Sequence, residues 1–248
     1  MLGPMSLGIL VSGASGTIGQ SLIEEMAADD RFTVVGTATS ERFFEPDTQA
    51  DVIIDFSHPR LLERTLDYAL RHRLPLVTGT TGLDGLLSER VSEAARSIAI
   101  CQAANFSVGV NLLLRLATDA ARVLGEGFDI ELSELHHRRK IDAPSGTALA
   151  LARALAGARG LVAREALVQD RSRHRIPRSN NEIGVGVLRG GDVPGEHTVY
   201  FLGDGERLEL THRATDRGIF ARGALLAAQR MQDRPAGLVE FQDLALGG

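Results

Sequence analysis

The densest concentration of reactive side chains lies at residues 134–149, ELHHRRKIDAPSGTAL. Two imidazoles, His136 and His137, and the ammonium of Lys140 lead into Pro144, Ser145, Gly146 and Thr147. The run ALALARALAG follows at once and is a strong helix former. A Ser or Thr at such a start caps the helix, while the first-turn N–H groups point outward with partial positive charge. Gly146 lets a ligand come close to that backbone. The combination suits a small di-anion, with one carboxylate on the helix N-terminus, Lys140 beside it and an imidazole placed for proton transfer. Taken singly, each feature has a plainer meaning: a cap is usually only a cap, and a His-His-Arg-Arg-Lys run is usually a solvated basic face. No metal site is expected, because the adjacent His136 and His137 face different ways along an extended strand, and neither HExxH nor a cysteine partner is present. Ser145 is not in a G-x-S-x-G elbow, which argues against a hydrolase.

A second chemistry is written near the start. GASGTIG places Gly13, Gly16 and Gly19 between an apolar strand pattern, LGILVS, and a helix pattern carrying Ile18, Leu22 and Met26. Glycine allows a tight turn and close approach of a pyrophosphate, which the helix N-terminus then attracts. The alternative is a turn that merely joins strand to helix. Two more small-residue turns, GTTG at Gly79–Gly82 and AANFSVG at Ala103–Gly109, follow later strands. Three such turns on one edge of a sheet would line a crevice for an extended cofactor.

The elements that must position these groups are legible as patterns. FTVVGTA, DVIIDFS, LPLVT and SIAICQA are short apolar or β-branched runs, and PRLLERTLDYALRHR is an amphipathic helix with Leu62, Leu66 and Ala69 on one side. Strands alternating with helices imply a parallel, doubly wound sheet with ligands at the carboxyl ends of its strands. Between FTVVGTA and DVIIDF, Pro46 makes a full crossover helix doubtful. The later half differs. After the helix pattern GVNLLLRLATDAARVLG, FDIELSELHH has period two, and EIGVGVLRGG, GEHTVYFLG and ERLELTHRA are strand-like and separated by Gly-Asp turns. DRSRHRIPRSNNEIG reads as a mobile loop, and IFARGALLAAQRM as an apolar helix returning to the first domain. The expected fold class is therefore α/β: a Rossmann-like doubly wound parallel sheet over 1–106, with 218–248 returning to it, plus a smaller α+β domain with a mixed sheet over 107–217.

Composition narrows the classes. The chain has 248 residues and a formal charge of −5 with no long basic run, and only 4 % aromatic residues without Trp, so no nucleic acid is expected as a partner. The single cysteine, Cys101, excludes an internal disulfide or CxxC site, and its apolar surroundings predict a buried, inert thiol. The amino terminus lacks a basic n-region and its apolar run is too short to span a membrane. A cytoplasmic protein with no membrane partner is expected.

ELHHRRKIDAPSGTAL resembles the motif E-x-H-H-x-x-K-x-D-A-P-S-G-T-A of the 4-hydroxy-tetrahydrodipicolinate reductase (dihydrodipicolinate reductase) family. The resemblance extends in order through GASGTIG, DVIIDFSHP, TGTTG, ANFSVGVN, RGGDVPGEHTVYF, LELTHRATDR and FARGAL. It implies hydride transfer from NADH or NADPH to a cyclic imine dicarboxylate in lysine and diaminopimelate biosynthesis. It further implies His136 as acid/base and Lys140 as proton donor, with His137, Lys140, Ser145, Gly146 and Thr147 holding the substrate. For the cofactor it implies Gly13, Ala14, Ser15, Gly16, Thr17 and Ile18, then Gly79, Thr80 and Thr81, then Ala103, Ala104, Asn105 and Phe106. Thr17 and Ile18 stand where the family usually has Arg and Met, which removes a cation beside the phosphates. Glu41 and Arg42 match the family's acidic residue and Arg only with one residue inserted; otherwise Ser40 takes the acidic place, and the choice between NADH and NADPH stays open. The resemblance also implies a homotetramer built through the sheets of the substrate domain. Two other readings remain beside it: a related reductase of another small carboxylate, and a non-catalytic nucleotide sensor that kept the fold.

Overall fold

The computed structural model describes residues 6–173 and 176–247. They form two compact units, one of residues up to Val108 together with those from Arg217 onward, the other Gly109–Asp216.

In the first unit, β1 (Leu7–Ser12), β2 (Phe32–Ala38), β3 (Val52–Asp55), β4 (Leu76–Thr78), β5 (Ala99–Gln102) and β11 (Gly237–Val239) make a parallel sheet in the order β11-β5-β4-β3-β1-β2. β1 and β3 are buried along their whole length, as strands covered on both faces must be. On one face, α1 (Thr17–Ala27), α7 (Gly218–Met231) and α8 (Phe241–Leu246) enclose Ile9, Val11, Leu22, Ile54, Val77, Leu225 and Met231. On the other, α2 (Pro59–His72) and α3 (Gly85–Ala94) enclose Leu10, Ile53, Leu62, Leu66, Leu76 and Ile100. Each such fully buried aliphatic side chain contributes about 2 kcal/mol of transfer free energy. The sheet is doubly wound, as the alternating pattern predicts, and strand order reverses direction between β1 and β3.

Residues 39–51, between β2 and β3, contain no helix. Phe44 instead buries itself against Tyr68 of α2, ring centres 5.2 Å apart, and the Tyr68 hydroxyl donates to the carbonyl of Glu45 at 3.1 Å. The strand β11 and helix α8 were not visible as sequence patterns: both are short, and their identity comes from pairing with β5 and packing beside α7.

The second unit holds a mixed sheet in the order β10-β9-β6-β8-β7, from β6 (Asp129–His136), β7 (Leu167–Val168), β8 (Ile183–Arg189), β9 (Gly195–Gly203) and β10 (Glu206–Ala214). β6 runs parallel to β8 and antiparallel to β9. One face packs Ile130, Leu132, Ile183, Val185, Val199 and Phe201 against α4 (Val108–Leu124) and α5 (Gly146–Ala158). A four-residue helix, α6 (Ala163–Ala166), precedes β7. The charged loop before β8 is tied to the sheet: the Arg178 guanidinium donates to the carboxylates of Asp129 (2.6 Å) and Glu131 (3.0 Å) and to the carbonyls of Ile130 and Glu182. His174 and Arg175 of that expected loop, and Met1 to Met5, lie outside the described residues.

Candidate functional site

On the first unit, the glycine turn has the shape its spacing demands. Gly13 has φ +82°, and a Cβ there would overlap the Phe56 carbonyl. A Cβ on Gly19 would overlap the Gly13 carbonyl, so the third glycine lets α1 lie against the turn. The N–H groups of Gly13 and Ala14 donate to the Ala38 carbonyl at the end of β2 (2.9 and 3.1 Å). Gly16 is the N-cap of α1 and offers no side-chain cap, and the first turn carries no acidic residue. The backbone donors of Thr17 and Ile18 therefore start a helix that suits a phosphate.

Neighbouring strands bring the other predicted segments to the same carboxyl edge. Ser40, Glu41 and Arg42 are exposed in a tight turn after β2, closed by Thr39 N–H donating to the Arg42 carbonyl at 2.7 Å. Gly79, Thr80 and Thr81 follow β4, and Ala103, Ala104, Asn105 and Phe106 follow β5. The Gly79 N–H donates to the Asp55 carbonyl (2.8 Å) and the Ala103 N–H to that of Thr78 (3.1 Å). Sequence reasoning missed the support beneath this edge. Asp55 is fully buried and accepts from the hydroxyls of Thr78 (2.9 Å), Thr80 (2.6 Å) and Ser57 (2.6 Å). The Thr80 hydroxyl is thereby held inward, and its part is to shape the turn. Phe106 is likewise buried, packed between Phe56 and Phe241 at 5.4 and 4.8 Å between ring centres.

On the second unit, β6 delivers His136 as its last residue, on the buried side of the strand with Ile130, Leu132 and Glu134. His137 and Lys140 follow in a turn closed by the Lys140 N–H on the His137 carbonyl (3.0 Å), while the His137 N–H donates to the Val193 carbonyl (2.8 Å). The Lys140 ammonium pairs with Asp142 at 2.9 Å. Ser145 is the N-cap of α5, its hydroxyl accepting from the Ala148 N–H at 3.1 Å, and Gly146 and Thr147 are the first helical residues. A Cβ on Gly146 would meet nothing within 4 Å, so the approach to this helix start is open.

Two residues absent from the expected site turn out to lie in it. Glu134 is 1 % exposed; its carboxylate contacts Nδ1 of His136 and accepts from the Ser145 N–H (3.1 Å) and the Arg189 guanidinium (3.0 Å). His197 is 3 % exposed, its Nε2 3.2 Å from the Ser145 hydroxyl and its ring 5.2 Å from that of His136. Strand register explains the meeting: Glu134 lies opposite His197 on β9, and His136 opposite Arg189 on β8. Glu134 had a signal in the sequence, because period two places it on the apolar side of the strand, where a carboxylate must find partners. His197 had none.

The electrostatics follow from burial and these partners. Burial pushes the Glu134 carboxyl up, but Arg189, the Ser145 N–H and His136 outweigh it and hold it below the usual carboxylate range. Burial pulls His136 down against the opposing pull of Glu134, and Lys140 and Arg189 add to the lowering. Burial takes His197 down to about 4, helped by His136. At neutral pH the cluster is thus an ionised carboxylate beside two neutral imidazoles. The ligand atoms of Glu134, His136 and His197 lie within 4.8 Å of one another, the spacing of a metal site. Hydrogen bonds already engage both oxygens of that carboxylate, the Ser145 N–H and Arg189 on one and His136 on the other.

A glycine-turn sheet of this kind on one unit, and a buried carboxylate–imidazole cluster beside an open helix start on the other, are what an enzyme with a dinucleotide site requires, and the family matches make the class an NAD(P)H-dependent oxidoreductase. Comparison with known proteins gives the particular kind. Residues 7–106 match the family model of the dihydrodipicolinate reductase N-terminus and residues 109–245 that of its C-terminus. The chain is 45 % identical over 240 residues to a 4-hydroxy-tetrahydrodipicolinate reductase of Akkermansia muciniphila, covering 96 % of this chain and 97 % of that one. It is 50 % identical over 197 residues to the enzyme of the same name from Pseudoalteromonas translucida, covering 79 % and 74 %. In fold it is similar to a dipicolinate-bound dihydrodipicolinate reductase from Paenisporosarcina, with TM-score 0.77 and 21 % identity over 95 % of this chain and 98 % of that one. The chain belongs to the dihydrodipicolinate reductase family, whose reaction is an NAD(P)H-dependent reduction in diaminopimelate and lysine biosynthesis.

Proposed function

We propose that this chain reduces the cyclic imine dicarboxylate itself, with residues 1–106 and 218–248 as its dinucleotide-binding domain and 107–217 as its substrate-binding and oligomerisation domain. The observation that carries the reading is the buried cluster that fastens His136 to the N-cap of α5 through one carboxylate. The cofactor, NADH or NADPH, supplies the hydride. Gly13 to Ile18 hold its pyrophosphate, Gly79 to Thr81 and Ala103 to Phe106 shape the edge along which it extends, and Glu41 and Arg42 meet its adenosine ribose. The glycines that admit no Cβ at Gly13 and Gly19 fit such a group.

For the substrate, the N–H groups of Gly146 and Thr147 and the Ser145 hydroxyl grip one carboxylate at the positive end of α5. His137 and Lys140 contribute on the preceding turn. Lys140 gives the proton that balances the charge left by hydride addition, and His136 acts as acid/base, its lowered basicity keeping it neutral and ready to exchange a proton near pH 7. Among the described residues no helix is long and apolar enough to cross a membrane, and we place the protein in the cytoplasm as a homotetramer.

The test is nicotinamide oxidation followed by absorbance, with substrate generated in place from pyruvate and aspartate semialdehyde by the preceding synthase. NADH and NADPH are compared side by side, with pyridine-2,6-dicarboxylate as competitor. Rapid, inhibitable oxidation is expected. Tight cofactor binding without oxidation would leave the sensor reading in its place. Arg42 is 77 % exposed, with Glu45 3.7 Å away, which leaves its guanidinium available to a 2′-phosphate. Arg42→Ala should therefore raise KM for NADPH several-fold more than KM for NADH.

A further inference from the structure

We propose that Glu134 is the positioning residue that selects the working tautomer of His136 and, with its other oxygen, sets the anion-binding turn at Ser145. This rests on the reading of His136 as the acid/base group. An ionised carboxylate only accepts hydrogen bonds, so its contact with Nδ1 of His136 requires the hydrogen on that nitrogen. Neutral His136 is then left with a bare Nε2. The fold keeps that atom clear, because β9 passes it at Gly195, where a Cβ would come within 2.9 Å of Nε2. The bare nitrogen takes a proton from solvent and passes it on to the substrate, and the imidazolium in between stays beside the carboxylate that stabilises it, as an orienting Asp does for a catalytic histidine elsewhere.

The second oxygen has a different task. It accepts the Ser145 N–H at 3.1 Å and the Arg189 guanidinium at 3.0 Å, and Arg189 also donates to the Asp142 carbonyl at 2.6 Å. Glu134 thus joins the end of β6 to the N-cap of α5 and, through Arg189, to the turn between them. The orientation of the Gly146 and Thr147 N–H groups and the protonation pattern of His136 therefore depend on the same carboxylate. A glutamine is the same size but cannot do both tasks. If its oxygen accepts from His136, its NH₂ group faces two donors, the Ser145 N–H and Arg189. If its oxygen faces those two, its NH₂ group opposes the Nδ1 hydrogen.

The charged and titratable groups around His136 are Glu134 on its own strand, Lys140 on the turn, Arg189 on β8 and His197 on β9. Of these only Glu134 favours the imidazolium. Its removal has a directional signature that a merely structural role would not produce: the limb of the kcat/KM pH profile belonging to His136 moves to lower pH, by about one unit.

The experiment begins with the full-length wild-type protein containing 15N-labelled histidine. Its NMR spectrum should show His136 protonated at Nδ1 and bare at Nε2, a result that needs neither turnover nor a variant. In Glu134→Gln that tautomer should give way to a mixture or to Nε2–H. The same variant should lose about a hundredfold or more in kcat, bind pyridine-2,6-dicarboxylate about tenfold more weakly, and show the shifted pH limb. A wild-type Nε2–H tautomer overturns the proposal whether or not the variant folds. So does a folded Glu134→Gln protein whose pH limb stays in place. His136→Ala separates the two levels of the claim: retained turnover would overturn the acid/base reading itself, whereas lost turnover together with a wild-type Nε2–H tautomer would overturn only the role of Glu134.

Discussion

In the proposed reaction Lys140 and His136 divide a task that neither residue type performs well alone. The lysine presents an ammonium whose visible partner, Asp142, is well exposed, so it can turn toward a substrate anion at little cost. The histidine is neutral and walled in, suited to exchanging a proton without holding charge. Replacing Lys140 with Ala should lower kcat/KM by two to three powers of ten, on the order expected for a lost proton donor. The dissociation constant for the nicotinamide cofactor, read by fluorescence or calorimetry, should change by less than about twofold, because all the expected cofactor residues lie on the first unit. Equal losses in both would remove the local role given to Lys140. His197 is the quieter neighbour. With the Ala148 N–H already donating to the Ser145 hydroxyl, the imidazole completes that group's surroundings and fixes which way the hydroxyl hydrogen points.

At the scale of elements, two glycines separate packing from access. A Cβ on Gly79 would overlap the Phe56 ring, which leans edge-on against Phe106. Gly79→Ala should therefore cost about 1–3 kcal/mol through overpacking, seen as a lowered Tm, and should weaken cofactor binding as the turn after β4 shifts. Gly146 sits at the first position of α5 with open space around it. Gly146→Ala should leave Tm unchanged or slightly raised, since alanine is the better helix former. The substrate KM should nevertheless rise several-fold as the methyl crowds the approaching carboxylate. A fall in Tm at Gly146 equal to that at Gly79 would contradict this division. The elements to which the proposed chemistry belongs are not those with the largest packing energies. They are strand ends and helix starts, where backbone N–H groups lack intrahelical partners.

For the whole molecule, buried neutral histidines make stability depend on pH. His197 titrates near 4 in the folded chain but near 6.5 when exposed, so between these values the unfolded chain binds the extra proton. Its contribution is complete above about pH 6.5 and is lost as pH falls from there to about 4, by roughly 3 kcal/mol in all. His136 and His212, also lowered by burial, act in the same direction. Glu134, held below the usual range, adds a further loss below about pH 4.3. Urea midpoints at pH 7.5, 6, 5 and 4 should fall steadily, and His197→Gln should flatten that slope between pH 6.5 and 4.5. An unchanged slope would show that His197 is protonated in the folded chain. Cys101 reports the same integrity differently: burial, with Glu240 nearby, raises its thiol to about 12, so thiol reagents should react only on unfolding.

Much of this was legible in the sequence because it is local. Alternation over 129–136, the helical spacing of Leu62, Leu66 and Ala69, the glycines of GASGTIG and the Ser-Gly-Thr start of α5 are each set by residues a few positions apart, and each took the conformation its pattern implies. The histidines, Lys140 and the family motif needed no structure to be noticed. What only the tertiary structure decided is which distant groups meet them. Arg189 reaches Glu134 from 55 residues away, and His197 reaches Ser145 from 52. The buried Asp55 of β3 accepts from the hydroxyls of Thr78 at the end of β4 and Thr80 in the turn after it, holding that turn. These meetings depend on strand register and order, where a one-residue slip would turn every side chain to the opposite face. The register in turn is chosen by the burial of Ile130, Leu132, Val199 and Phe201 together, a sum over the sheet that no short stretch of the chain contains.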